Sequence, residues 1–491
     1  MEQDGFRNSS KEIFEHILQS KHDVSAVNSQ LIEKYILLVK LGSEDNNDIK
    51  KVLTIIREVM YDENYIYIDS DGILLELIEG ILMRLPVEQT FEIYPAEFIL
   101  SYLKEGDPKI SSMIVKVLAH NVAENEVKRL LEESELLKIL VRRNFEKYSS
   151  LELSSLFEFL MRNITEQAGH LVKAIFFDLH FLSIFDEIVK YEDERKARFL
   201  DFLLIVVPVL LKEKALFPPK YYVFLKASFT ENDDILLTML RIQFYVRFVS
   251  AINNSGEESV MFENIEPSLE EIISLFSRRH DDETVASFLG ADMIHLLYHL
   301  SYSNIALVIR FLDETADKTA LLQLHNLMLD SDLDKSLLST YNPERFPEKL
   351  EDSILEELLL FSQNYLEIFF NLLGSKSFFE KAKPLLTFNS ISNLTFDKLY
   401  GLLLKLSERD YSAYYLLRDL PRVVADYLVD GPPVSESEVW AAKKATLDNL
   451  VLKKYDLDIW REGIMKAYKH MHYGRDVKDI TPVTNIFDQA L

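Results

Sequence analysis

Two histidines, His295 and His299, stand four residues apart in Ile-His-Leu-Leu-Tyr-His and so share one helix face, where a single metal ion could bridge them. A zinc peptidase would need glutamate at position 296, which is Leu296, and no third ligand is evident. They read as ordinary surface or groove histidines, as do His470 and His472 near the end of the chain. Asp69-Ser-Asp71-Gly72 has the look of a calcium loop. That loop would need acids at positions 67 and 78, which are Tyr67 and Ile78, so the segment reads as a helix start. There is no glycine-rich phosphate loop and no Gly-x-Ser-x-Gly elbow. There are no cysteines, which removes thiol nucleophiles, thiolate metal sites and disulfides. Carboxylates are abundant but lie on regular helix faces, and no pair is singled out for acid–base work. The expectation is a protein that is not an enzyme and uses no cofactor and no metal.

What remains is chemistry of contact. Asp410-Tyr-Ser-Ala-Tyr-Tyr-Leu-Leu-Arg-Asp-Leu-Pro421 is rich in aromatics. Leu416, Leu417 and Leu420 supply a core face, and Tyr411, Tyr414 and Tyr415 cannot all point inward with them. Asp410, Tyr411, Tyr414, Tyr415 and Arg418 are therefore the candidate partner-binding residues, since tyrosine and arginine often dominate interface energy. The alternative is that the tyrosines pack between helices. If they are contact residues, Tyr411→Ala with Tyr415→Ala should weaken binding and leave thermal stability near wild type.

These residues must be held by a helical frame. Asp107 followed by Pro108 reads as a helix cap and first turn. Ile110, Met113, Ile114, Val117 and Leu118 then fall on one face. The same frame starts at Asp71 (Leu74, Leu77, Ile78, Ile81, Leu82) and at Ser150 (Leu153, Leu156, Phe157, Leu160, Met161). Imperfect versions begin at Ser29, Asp193, Asp233 and Asp282, the last with Val285, Phe288, Leu289 and Met293. Weaker ones begin at Asp317, Asp352, Thr395 and Ser435. Successive starts are separated by roughly 35–49 residues, close to the ~40–47 of HEAT and armadillo repeats. The spacing predicts an all-α, HEAT/armadillo-like α-solenoid of about eleven helical-pair repeats wound into a C-shaped superhelix. With 13 glycines and 14 prolines in 491 residues, no flexible linker marks a boundary. Residues 1–473 are expected to form a single continuous solenoid and 474–491 a loose tail. Tyr61–Ile68 is rich in Tyr and Ile, but it lacks a partner strand and is expected to be a loop. The longest apolar run, Phe202 to Leu211, is too short to span a membrane and is expected to be a buried helix kinked at Pro208.

The net charge is −26, from 80 acidic against 54 basic residues. Such a surface repels phosphate backbones, so nucleic acid and anionic membrane are expected non-partners and a basic protein domain is favoured. Acidity can also serve solubility alone. With no cysteine and no basic-then-apolar leader, a cytoplasmic location is expected, with the nucleus left open.

Two stretches carry a resemblance. Phe91-Glu-Ile-Tyr-Pro-Ala-Glu-Phe-Ile-Leu leads into Asp107-Pro108. Asp410-Tyr-Ser-Ala-Tyr-Tyr-Leu-Leu is followed by Leu420-Pro421 and Asp430-Gly431. In order, spacing and overall length the chain resembles the fungal HEAT-repeat chaperone family that assists assembly of the base of the proteasome regulatory particle. The animal counterpart is non-ATPase regulatory subunit five. Pro95 interrupts the first stretch and Pro432-Pro433 alters the turn after the second, which touches local geometry rather than the fold. The resemblance implies a non-enzymatic protein that grips the C-terminal domain of one proteasomal ATPase subunit, and other base subunits, before releasing them. The same family was linked to DNA mismatch repair. A permanent scaffold or transport adaptor is the competing reading. Residues 282–430 are expected to carry much of the contact.

Overall fold

The computed structural model describes residues 9–41, 46–105, 108–133, 135–146, 149–176, 178–191, 194–212, 218–223, 235–255, 260–318, 327–345, 350–431, 436–453 and 455–474. The described chain is helical, with no strand among the described residues, as the recurring frame predicts. It clusters into two compact units, Met1–Ser268 and Leu269–Leu491, where a single run to 473 was expected. Of the expected tail, Gly474 is described and the rest lies outside the described residues.

In the first unit, Ser29–Leu41, Ile73–Leu82, Pro108–His120, Leu151–Gln167, Glu194–Lys212 and Ile235–Ser255 pack each on the next as one layer. A second layer holds Ser9–Asp23, Asn46–Met60, then Ala96–Glu105, Leu136–Asn144 and Leu179–Ile188. In the second unit, Gly290–Ser301, Asp332–Thr340, Leu366–Leu372, Phe396–Glu408 and Ser437–Leu452 follow one another in the same way. Helix pairs such as Phe396–Glu408 with Asp410–Asp419 complete the repeats.

The frames bury what their spacing says they should. Leu74, Leu77, Ile78, Ile81 and Leu82 are all buried, as are Leu153, Phe157, Leu160 and Met161. Ile110, Met113, Ile114 and Leu118 are buried, with Leu156 and Val117 at the margins of their stripes. Ser150 caps its helix, its hydroxyl accepting from the Leu153 amide at 3.1 Å.

Other helix starts differ from expectation. The carboxylate holding the Ile73–Leu82 start is Asp69, which accepts from the Leu74 amide at 3.0 Å. Gly72, at φ +72°, turns the chain into that helix through a conformation that L side chains rarely adopt. Asp71 instead accepts from the Ser29 hydroxyl at 2.8 Å, and Asn28 caps the helix where Ser29 was expected to. Asp282 does cap, accepting from the Thr284 and Val285 amides, but the next five residues form a π-helical turn, Val285–Leu289. The wider turn shifts the stripe, so Val285, Leu289 and Met293 are buried while Phe288 faces solvent. Asp317 lies at the end of Ala306–Lys318, and residues 319–326, where its frame would run, lie outside the described residues. Tyr65–Ile68 is a helical turn, its Tyr67 and Ile68 amides bonding back to Asn64, where a loop was expected. Asp107, Asp193, Asp233 and Ser435 lie outside the described residues.

Glu194–Lys212 runs through Pro208, whose ring is exposed while Phe202, Leu203, Val206, Val207, Leu210 and Leu211 are buried. Ile235–Asn254 is long and apolar enough to cross a membrane by length and composition. It buries Ile242, Phe244, Tyr245, Phe248, Val249 and Ile252 against Glu194–Lys212, the placement of a core helix.

Successive repeats are also tied by side-chain hydrogen bonds whose sequence separation is about one repeat. Tyr102 donates to the Met60 carbonyl 42 residues back, and Asn163 to Ala119, 44 back. Asn371 donates to Leu338, 33 back, and Trp460 to Leu417, 43 back.

Candidate functional site

Asp410–Asp419 begins directly after Arg409, whose extended backbone (φ −119°, ψ 145°) separates it from Phe396–Glu408. Helical spacing places Ala413, Leu416 and Leu417 in the core, together with Leu420 just beyond. Tyr411 and Tyr415 sit on the flank facing the preceding repeat, half-buried. The Tyr411 hydroxyl donates to the Leu373 carbonyl at 3.0 Å, and its ring lies 5.1 Å from Phe379. The Tyr415 hydroxyl lies between the carbonyls of Leu386 (3.0 Å) and Lys383 (3.2 Å), and its ring meets Phe379 edge-on. Burial pushes the Tyr411 hydroxyl up to about 12, and raises Tyr415 as well. Both therefore stay protonated donors at neutral pH.

Tyr414 and Arg418 lie on the opposite flank and are exposed. The Arg418 guanidinium stands 5.3 Å from the Tyr414 ring centroid, and Tyr455 meets that ring edge-on at 5.9 Å. Burial, then the adjacent Asp410 carboxylate, pushes the Tyr455 hydroxyl up to about 12. The structure thus brings Asp410, Tyr414 and Arg418 together at the surface and sends Tyr411 and Tyr415 into the seam between repeats.

The surface continues beyond the helix. Arg409 pairs with Glu344 at 3.2 Å. Glu344 is held by the turn Pro343–Arg345, which Asn342 and Arg345 fasten to the Ser301 carbonyl at 3.0 and 3.1 Å. Tyr302 lies within electrostatic reach of Arg409, Glu408 and Glu344. Burial first, then Tyr298, raises its hydroxyl. The Tyr298 and Tyr302 rings lie 4.9 Å apart, tilted by 50°, with 41% of each residue exposed, against 39% for Tyr414. His299, between them in sequence, is lowered by burial and then by His295. A strip of ring faces and paired charges therefore runs from Tyr298 and Tyr302 through Glu344 and Arg409 to Asp410, Tyr414 and Arg418. It offers apolar area, hydroxyl donors and both signs of charge, the composition of a protein-binding surface. Tyr298 and Tyr302 were legible as an i, i+4 tyrosine pair beside the two histidines. The Arg409–Glu344 pairing depends on the fold and left no local mark.

Elsewhere in the second unit, Arg279 and Asp334 form a buried ion pair at 2.7 Å. Asp334 also accepts from the Met328 amide at 2.8 Å, and the His280 ring lies 3.2 Å away. Among the described residues no group of three histidines and carboxylates gathers as a metal site.

The fold and this strip define an all-α helical-repeat protein with an exposed aromatic and charged surface. Comparison with known proteins gives the family. Residues 11–250 match the model described as DNA mismatch repair protein HSM3, N terminal domain, and residues 258–491 match the corresponding C terminal domain. A DNA mismatch repair protein HSM3 from Debaryomyces hansenii is 34% identical over the full length of both chains. Proteins of the same name from Scheffersomyces stipitis and Candida albicans are 28% and 26% identical. They cover 98% and 94% of this chain, and 97% and 95% of their own. The chain belongs to the HSM3 family.

Proposed function

We propose that the chain is a non-catalytic assembly chaperone that binds the C-terminal domain of a proteasomal ATPase subunit during assembly of the regulatory-particle base. The observation that carries this reading is the strip from Tyr298 to Arg418: exposed tyrosines beside a solvent-facing arginine, held by paired charges on a repeat scaffold. Tyr298, Tyr302, Tyr414 and Arg418 make the contact, and Asp410 with Glu344 orients it. Tyr411 and Tyr415 support the strip from behind. The chain's net charge of −26 favours a basic partner domain and speeds encounter. The resemblance in sequence to the chaperone family supports the same reading, with work in the cytoplasm and no cofactor. Affinity capture tests it: the chain should co-purify with free ATPase subunits and be absent from intact proteasomes. Stable residence in the mature particle would support a permanent scaffold instead.

The name carried by the relatives favours a second reading, a role in DNA mismatch repair. Duplex binding at low salt separates the two, because a −26 chain acting only on protein should bind DNA poorly.

A further inference from the structure

The first unit contains a cavity of about 380 Å³ lined by Leu103, Lys104, Glu135, Lys138, Ile139, Arg142, Arg143, Glu146 and His180. Three second-layer helices build it: Ala96–Glu105, Leu136–Asn144 and Leu179–Ile188. Four cationic side chains meet two carboxylates there, in a chain whose net charge is −26. Two of the cations are neutralised: Lys104 by Glu135 at 3.3 Å and Lys138 by Asp178 at 3.4 Å. Arg143 donates to the Ser111 hydroxyl at 2.6 Å. Arg142 has an imidazole nitrogen, His180 Nε2, at 3.4 Å. Among the described residues no carboxylate lies within ion-pair distance of either arginine. Elsewhere in the unit, lysines such as Lys21 and Lys50 are paired with glutamates one repeat away, whereas these two guanidinium groups line the cavity without a carboxylate partner among the described residues.

We propose that this cavity docks an extended acidic polypeptide segment, one carboxylate of which is gripped by Arg142 and Arg143. A guanidinium fork matches a carboxylate bidentately. Both arginines stand in the last turn of their helix, where carbonyl ends carry partial negative charge, and Glu135 and Glu146 flank them. That setting suits a singly charged carboxylate better than a phosphate dianion. Ile139 gives the floor an apolar part for the carbon atoms of neighbouring side chains. The volume falls in the range of ordinary ligand pockets. This site lies outside the Tyr298–Arg418 strip, takes the opposite sign of charge, and stands whether or not the chaperone reading holds.

The test is fluorescence anisotropy of the full chain with a fluorescein-labelled dodecapeptide alternating Glu and Leu, and with its Gln-for-Glu counterpart. The acidic peptide should bind and the Gln peptide should bind at least about tenfold more weakly, the scale of a charge-assisted hydrogen bond. Arg142→Glu should produce a similar loss with an unchanged melting temperature, because Arg142 is exposed, and Arg142→Lys should recover part of it. The proposal is overturned if the acidic peptide fails to bind at millimolar concentration or binds no better than the Gln peptide. It is equally overturned if Arg142→Glu leaves affinity unchanged, or if inorganic phosphate or duplex DNA displaces the peptide at equal concentration.

Discussion

The Tyr298–Arg418 strip and the Arg142 cavity both present arginine at a surface, and they treat it differently. In the strip, Arg409 is neutralised by Glu344 and Arg418 lies against a tyrosine ring. In the cavity, Arg142 and Arg143 meet, among the described residues, a ring nitrogen and a hydroxyl rather than a carboxylate. Cations paired or laid against rings leave a surface whose free energy comes mainly from burying rings, which tolerates salt. Unspent cations leave one whose free energy comes from charge, which salt screens over a Debye length of about 8 Å at physiological ionic strength. The contrast teaches that a strongly acidic chain can hold a contact surface of each kind, provided the local ion pairing differs.

The sharpest way to break the comparison is to remove the frame from one region alone. Asp334→Ala strands Arg279 as a buried unpaired charge and should cost about 3–5 kcal/mol. Hydrogen exchange should then rise around 279–340 and stay at wild-type levels at 103–180. Equal loss of protection in both regions would mean that the strip has no frame of its own. Next comes the seam. Tyr411→Ala with Tyr415→Ala removes ring packing on Phe379 and the hydroxyl bonds to Leu373, Lys383 and Leu386. Urea unfolding should show a loss of about 2–4 kcal/mol. The sequence alone offered both rings as contact residues whose loss would spare stability, with packing between helices as the alternative. Unchanged stability would return them to that role.

Tyr302→Ala with Tyr414→Ala should leave the melting temperature near wild type and weaken binding of an ATPase C-terminal domain by about 2 kcal/mol or more. Raising salt from 50 to 300 mM should change the dissociation rate of that complex little. A steep salt dependence of dissociation would put the strip in the same class as the cavity. The smallest effect lies at the cavity wall. Asp178 accepts from the His180 amide at 2.7 Å, and this bond, ahead of Lys138, holds its carboxyl below the usual carboxylate range. A lowered folded-state value means stability that is present above the unfolded value near 4 and lost as pH falls below it. Asp178→Ala should cost about 1 kcal/mol at pH 7, as helix caps do. The gap between variant and wild type should close in urea titrations below about pH 4.

The helices and their buried stripes were legible because a stripe is local: five residues within a dozen positions decide it. Leu74 to Leu82 and Leu153 to Met161 pack as their spacing demands. Local rules also misread their own details. Asp69 displaced Asp71 as the anchor because Gly72 takes a positive φ. A π-helical turn moved Phe288 to the surface without any residue that announces it. At the site, three tyrosines on one helix could be seen to be too many for one core. Which flank each would take depended on carbonyls some 30–40 residues earlier, at Leu373 and Leu386. The Arg142 cavity was invisible for the same reason. Its residues are ordinary surface charges until three helices bring them together.

Several hydrogen bonds that tie a repeat to the one before it reach back only about 30–45 residues, as from Tyr102 to Met60 and from Asn163 to Ala119. A nascent chain meets each of these partners soon after the donor leaves the ribosome. At about 5–20 residues per second, a repeat of this length is synthesised in roughly 2–8 s, far longer than local helix pairing requires. Each new repeat therefore has its docking surface already built when it emerges. The chain can assemble largely in the order it is made, exposing one apolar edge at a time.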